Sequence, residues 1–108
     1  MILYGLPTCD SCRAALKAIR AAGREVAFRD IRAEPLSAEE WLALIAVFGD
    51  RLVNRASTTW RGLSEEARAG SAADLLMQYP ALMKRPVIRD DGHFHLGWKS
   101  DVQDLVLK

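Results

Sequence analysis

Apolar and polar positions along the chain sort into short, well-punctuated elements. Ile2-Leu3-Tyr4-Gly5 is a β-prone run, and Pro7-Thr8 breaks it. From Asp10 to Ala22 the apolar residues Ala15, Leu16, Ile19 and Ala22 fall on one helical face of a segment rich in Ala, Lys and Arg. Gly23 is placed to end that helix. Glu25 to Ile31 then alternates polar and apolar, which predicts a strand. A strand, a helix and a strand joined by short loops imply a parallel pair with a crossover helix.

The middle of the chain reads as helical. Pro35-Leu36-Ser37 predicts a turn, and Ser37 with Glu40 forms a capping-box pattern. A helix over Ala38 to Phe48 follows, with Trp41, Leu42, Leu44, Ile45 and Phe48 apolar and Gly49 as its stop. Leu52 to Arg61 is polar, lacks periodicity and predicts a loop. Ser64 opens a short helix, and Ser71 caps another that runs to about Tyr79. Beyond Arg85-Pro86, Val87-Ile88-Arg89 and His93-Phe94-His95-Leu96 are strands joined by the tight-turn pair Asp91-Gly92. A last helix is predicted over Asp101 to Leu107.

The order is therefore βαβ, a helical stretch, then ββα. Without the helical stretch it is the thioredoxin arrangement. The predicted class is α/β, a thioredoxin-like fold with a mixed four-stranded sheet. One domain over residues 1–108 is expected, with a helical insertion at about 35–84.

Composition narrows the function. The 108 residues are 50% hydrophobic and 27% charged, an ordinary globular balance. Fifteen Lys and Arg against 14 Asp and Glu leave a net charge of +1, which argues against direct nucleic-acid binding by bulk charge. No apolar run approaches membrane-spanning length, and the start has no signal-peptide pattern, so a cytoplasmic protein without a membrane partner is expected. Two cysteines are too few for a disulfide scaffold.

Their placement is more telling than their number. Cys9-Asp10-Ser11-Cys12 follows the first strand and opens the first helix, the context in which C-x-x-C signals redox chemistry. A thiol at a helix start meets unpaired amides and the positive end of the helix dipole, so Cys9 is the expected nucleophile. Cys12, one turn later and more shielded, is the expected resolving thiol. Asp10 disfavours a Cys9 thiolate and Arg13 favours it. The plain alternative is a pair of small buried side chains. A zinc site of both cysteines with His93 and His95 is the other use of these thiols, but nothing in the spacing brings the histidines to Cys9, and no metal is expected.

Two further segments carry polar chemistry. Lys84-Arg85-Pro86 stands just before an interior strand, where a thioredoxin-type domain keeps a cis proline beside its cysteines. Arg85 there would support the thiolate or bind a carboxylate. Otherwise it is a solvated basic turn. Asn54-Arg55-Ala56-Ser57-Thr58-Thr59-Trp60-Arg61 holds two cations, three consecutive hydroxyls and a Trp. Its hydroxyls either serve a site or simply cap a helix.

Together these motifs resemble the ArsC family, in its Spx/YffB branch. The resemblance covers essentially the whole chain. It rests on Tyr4-Gly5-Leu6-Pro7-Thr8-Cys9-Asp10-Ser11-Cys12, on Ser57-Thr58-Thr59-Trp60-Arg61-Gly62-Leu63, on Pro80-Ala81-Leu82-Met83-Lys84-Arg85-Pro86-Val87-Ile88 and on Gly97-Trp98-Lys99-Ser100-Asp101. It implies Cys9, Cys12 and Arg85 as catalytic residues. It implies Thr8, Asn54, Arg55, Pro86 and Lys99 as substrate-binding residues.

The resemblance implies three activities. YffB-like proteins look like small glutathione-dependent thiol reductases and are nearest in phrasing, so glutathione is the expected co-substrate and no bound cofactor is expected. Spx regulators use C-x-x-C as a switch and bind the α subunit of RNA polymerase, but this chain has Ala56 where they tend to carry a loop arginine. Arsenate reductases hold their oxyanion with three arginines. Here Arg85 matches one, Asn54 with Arg55 beside it stands at the second, and Trp98-Lys99 stands at the third. The arsenate reading ranks behind the other two.

Overall fold

The computed structural model describes residues 1–108, which form two compact units, Met1–Glu34 with Arg85–Lys108, and Pro35–Lys84. The first unit is built on a four-stranded mixed sheet. Its strands are β1 (Ile2–Gly5), β2 (Ala27–Asp30), β3 (Val87–Asp90) and β4 (His93–Leu96), in the order β2-β1-β3-β4. β1 runs parallel to β2 and antiparallel to β3, and β3 pairs antiparallel with β4. Helices α1 (Asp10–Ala21) and α6 (Ser100–Val106) complete the unit. This is the thioredoxin-like α/β sheet that the element order predicts.

Burial follows the sequence periods. Cys12, Ala15 and Ile19 lie on one face of α1 and are fully buried, packed with Leu3 of β1, Ile88 of β3 and Val102 and Val106 of α6. Leu3 and Ile88 are cross-strand partners, so both project to the helix side of the sheet. Cutting such a side chain to Ala costs about 2–5 kcal/mol. Asp91 (φ 50°) and Gly92 (φ 80°) both take left-handed backbone, as a two-residue type I′ hairpin requires.

At the far end of this sheet Arg24 acts as a clamp. Its two guanidinium nitrogens donate to the Asp90 carboxylate at 3.0 and 3.1 Å, and Nη1 also donates to the Val106 carbonyl at 2.6 Å. One side chain thus ties the approach to β2, the end of β3 and the end of α6 together.

The second unit is helical. Its elements are α2 (Ala38–Phe48), α3 (Thr58–Arg61), α4 (Glu65–Arg68) and α5 (Ala72–Gln78), with 3-10 turns at Gly49–Leu52 and Pro80–Leu82. The Ser37–Glu40 capping box is formed in both directions, at 3.1 and 3.0 Å. Trp41, Leu44 and Phe48 are the buried face of α2, and Leu75, Leu76, Leu52 and Leu82 are buried in the same unit. Val53 and Met83 form a single β-bridge, flanked by Asn54 N–H to Leu82 O at 2.7 Å and Lys84 N–H to Leu52 O at 2.8 Å.

The expected loop over Leu52 to Arg61 is corrected here. Ser57 caps α3 by accepting the Trp60 amide at 3.1 Å, and its own hydroxyl donates to the Asn54 carbonyl at 2.8 Å. A single helical turn is too short to show an apolar period, so the capping hydroxyl was its only signal. No helix of the protein is long and apolar enough to cross a membrane.

Candidate active site

The candidate site lies in the sheet unit, where β1 ends and β3 begins. Past Gly5 the chain turns through Leu6-Pro7-Thr8, and the Cys9 amide donates back to the Leu6 carbonyl at 3.1 Å. Cys9 has extended backbone and is the N-cap of α1, and its carbonyl accepts the Arg13 amide at 3.0 Å. Its sulfur therefore stands at the positive end of the helix. Cys9 is half-buried, Cys12 is fully buried, and both are free thiols. Thr8 is exposed just before them.

Arg85 joins the cysteines from the other strand. The Arg85–Pro86 peptide bond is cis, Pro86 is buried, and the Pro86 carbonyl accepts the Gly97 amide at 2.8 Å. The register pairs Tyr4 with Val87 and Val87 with Leu96. Arg85-Pro86 and Gly97-Trp98-Lys99 thus sit at the same end of the sheet as the chain leaving β1. Lys99 is exposed at the N-cap of α6.

The two thiols have opposite character. Burial pushes the Cys9 thiol up, but the Cys12 backbone amide, the Cys12 thiol and the Arg85 guanidinium together outweigh it. Cys9 is held below the ordinary thiol range. Cys12 is pushed up to about 12, chiefly by burial and then by the neighbouring Cys9 sulfur, although the Leu6 amide and Arg85 act the other way. Arg13 does not play the part expected of it. It lies 3.8 Å from Asp10 on the exposed side of α1, and the cation that acts on Cys9 is Arg85.

Asn54 and Arg55 belong to the helical unit. The Asn54 Oδ1 accepts the Ala56 amide at 3.1 Å, so this side chain shapes its own turn. Arg55 lies over the Trp60 ring at 5.3 Å, and Arg68 approaches the same ring at 5.6 Å. Asn54, Arg55, Arg51 and Lys84 line an open groove of about 380 Å³ in that unit. His93 and His95 lie on β4, and no three His, Cys, Asp or Glu side chains gather as a metal site would require.

Sequence reading passed over Gly5. A Cβ there would collide with the Cys12 sulfur, and it would stand 3.3 Å from the Cys12 Cβ and 3.4 Å from Leu3 Cδ2. A glycine closing a strand is a readable sign of such a close approach.

Residues 4–104 match the ArsC family. The chain belongs to that family. Its fold superposes on a solved YffB protein with a TM-score of 0.91, at 29% identity, covering 99% of this chain and 98% of the other. An arsenate reductase (ArsC) related protein from Brucella melitensis is 32% identical with a TM-score of 0.77, covering 96% of this chain and 91% of its own. The global transcriptional regulator Spx of Enterococcus faecalis is 28% identical over 109 residues, covering 94% of this chain and 81% of the regulator. These relatives make the chain a member of a thiol-redox family.

Proposed function

We propose that this protein is a cytoplasmic thiol-disulfide reductase that works with glutathione. The observation that carries the reading is a depressed Cys9 thiol at a helix start, flanked by a buried partner thiol and by Arg85. The Cys9 thiolate attacks a disulfide R–S–S–R′. A Cys9–S–S–R bond forms, and R′S⁻ leaves and takes a proton. Cys12 or a glutathione thiol then attacks this mixed disulfide and releases the second thiol. Further glutathione restores the protein thiols and leaves as its own disulfide. Arg85 supports the Cys9 thiolate and meets a substrate carboxylate, with Thr8, Pro86 and Lys99 as the other binding groups of this unit. Asn54 and Arg55 are the binding groups of the helical unit.

The test is reduction of a small disulfide by glutathione, coupled to a glutathione-regenerating reductase. Turnover that is lost in Cys9→Ser supports the reading. No turnover by the parent, or full turnover by Cys9→Ser, overturns it.

A second reading is a redox-sensing regulator that docks on the α subunit of RNA polymerase. The observation favouring it is the likeness to an Spx regulator across 94% of the chain. Against it, Ala56 has no guanidinium to offer a partner. Capture of polymerase by one redox state of the protein would favour it, and capture by neither would remove it. Arsenate reduction ranks third, because Lys99 offers a point charge where a forked guanidinium would hold an oxyanion.

A further inference from the structure

The Cys12 sulfur meets no side chain at Gly5 of β1, although Leu3 of the same strand packs in its cluster. At Gly5 it rests against bare backbone, because Gly5 has no Cβ and any Cβ there would overlap the sulfur. Gly5 is buried in the sheet and pairs with Asp30 of β2, and its carbonyl accepts the Ile31 amide at 3.1 Å. The strand is thus held at this point by its pairing with β2. Cys12 is held as well, since it is fully buried on α1 among Leu3, Ala15, Ile19 and Ile88. A helical side chain has few χ1 wells, so a displaced sulfur has to leave its place beside Cys9 rather than adjust slightly.

We propose that Gly5 is the positioning residue of the resolving step: the gap left by its missing side chain seats the Cys12 sulfur within reach of Cys9. The proposal rests on the reading of Cys9 as nucleophile. In that step the Cys12 sulfur attacks the Cys9 sulfur of the mixed disulfide, and the proton it loses is the one the leaving thiolate takes up. The Cys9–Cys12 bond forms, the Cys9–S–R bond breaks, and RS⁻ leaves and is protonated. The disulfide substrate is the oxidant, and both protein thiols are oxidised. The Leu6 amide supports this step, because it favours the ionised Cys12 sulfur. The Cys9 charge that opposes ionisation of Cys12 is removed once Cys9 is in the mixed disulfide. The first step thus lifts that opposition, while the burial that chiefly raises the Cys12 thiol remains.

The experiment separates the two steps in the full chain with glutathione disulfide as probe. Mass spectrometry follows the formation of the Cys9–glutathione adduct and its loss as the internal disulfide closes. Gly5→Ala is expected to close the adduct about 10- to 100-fold more slowly, the scale of a misplacement near 1 Å, a larger loss than the slowing of adduct formation that follows when the displaced Cys12 thiol no longer favours the Cys9 thiolate. Closure at the parental rate overturns the proposal. Failure of the parent to form any adduct at Cys9 instead overturns the underlying reductase reading. If Gly5→Ala does not fold, the pair Gly5→Ala with Cys12→Ala decides. Recovered folding places the conflict at the Cys12 sulfur and supports the slot, whereas a double variant that still fails to fold assigns Gly5 another task and overturns it.

Discussion

The Arg85 guanidinium meets the Cys9 sulfur across the end of the sheet, from the residue pair that opens β3 to the residue that caps α1. No stretch of chain near Cys9 supplies this cation. The sheet supplies it, by pairing β1 with β3 so that the two ends coincide. Arg85→Ala is therefore expected to raise the Cys9 thiol pKa and to slow alkylation of Cys9 several-fold near neutral pH. Arg85→Lys should fall between, since it keeps a charge without the fork. Iodoacetamide rates against pH would measure both. An unchanged profile in Arg85→Ala would exclude Arg85 as the supporting cation.

Cys12 should write its burial into the pH dependence of stability. A thiol raised from an unfolded value of about 8.5 to about 12 in the fold contributes stability that is complete below the lower figure. That contribution is lost as pH rises toward the upper one, because only the unfolded chain releases the proton. Cys9 has the opposite sign. Its contribution is complete above the unfolded value and is lost as pH falls through its depressed folded value. The difference in urea stability between the parent and Cys12→Ala should thus shrink as pH rises above about 8.5. A constant difference across that window would contradict the burial effect.

The Arg24 clamp should be a local stability determinant with no bearing on the thiols. Arg24→Ala leaves the partly buried Asp90 carboxylate without its two-pronged partner and the Val106 carbonyl without its donor. A loss of about 1–2 kcal/mol is expected, reduced from the buried-pair scale because the pair is partly exposed. Denaturant titration checks this, and the Cys9 alkylation rate should stay at the parental value.

The capping box of α2 gives an independent check in the helical unit. Ser37→Ala removes the acceptor for the Glu40 amide and should cost about 1 kcal/mol. Ser37→Asp restores an acceptor and should recover most of it. Equal loss in both variants would mean that the box does not stabilise the helix.

Much of this was legible in the sequence where a local rule acts alone. The Ser37–Glu40 box marked α2, Asp91-Gly92 marked the hairpin, and C-x-x-C after a strand marked the candidate site. The reading failed where tertiary contact decides. Arg13 is near Cys9 along the chain, but α1 turns it outward to Asp10, while Arg85 arrives from 76 positions away through β-pairing. The segment of α3 reads as a loop because one capped turn shows no period, and of the two uses open to its hydroxyls Ser57 takes the helix cap. Strand β2 begins at Ala27 rather than Glu25 because pairing starts opposite Ile2. Gly5 was visible as a strand glycine, but only packing shows that the Cys12 sulfur stands where its side chain would be.

Cys9 is the activated thiol of this pair. Thiolate absorbance near 240 nm, followed against pH in the parent, Cys9→Ser and Cys12→Ala, tests it most directly. The parent is expected to show a titration step below the free-thiol value of about 8.5. That step should be absent in Cys9→Ser and shifted upward in Cys12→Ala, which loses the neighbouring thiol that favours the anion. A parent with no step below the free-thiol value, or one whose low step survives in Cys9→Ser, would contradict it.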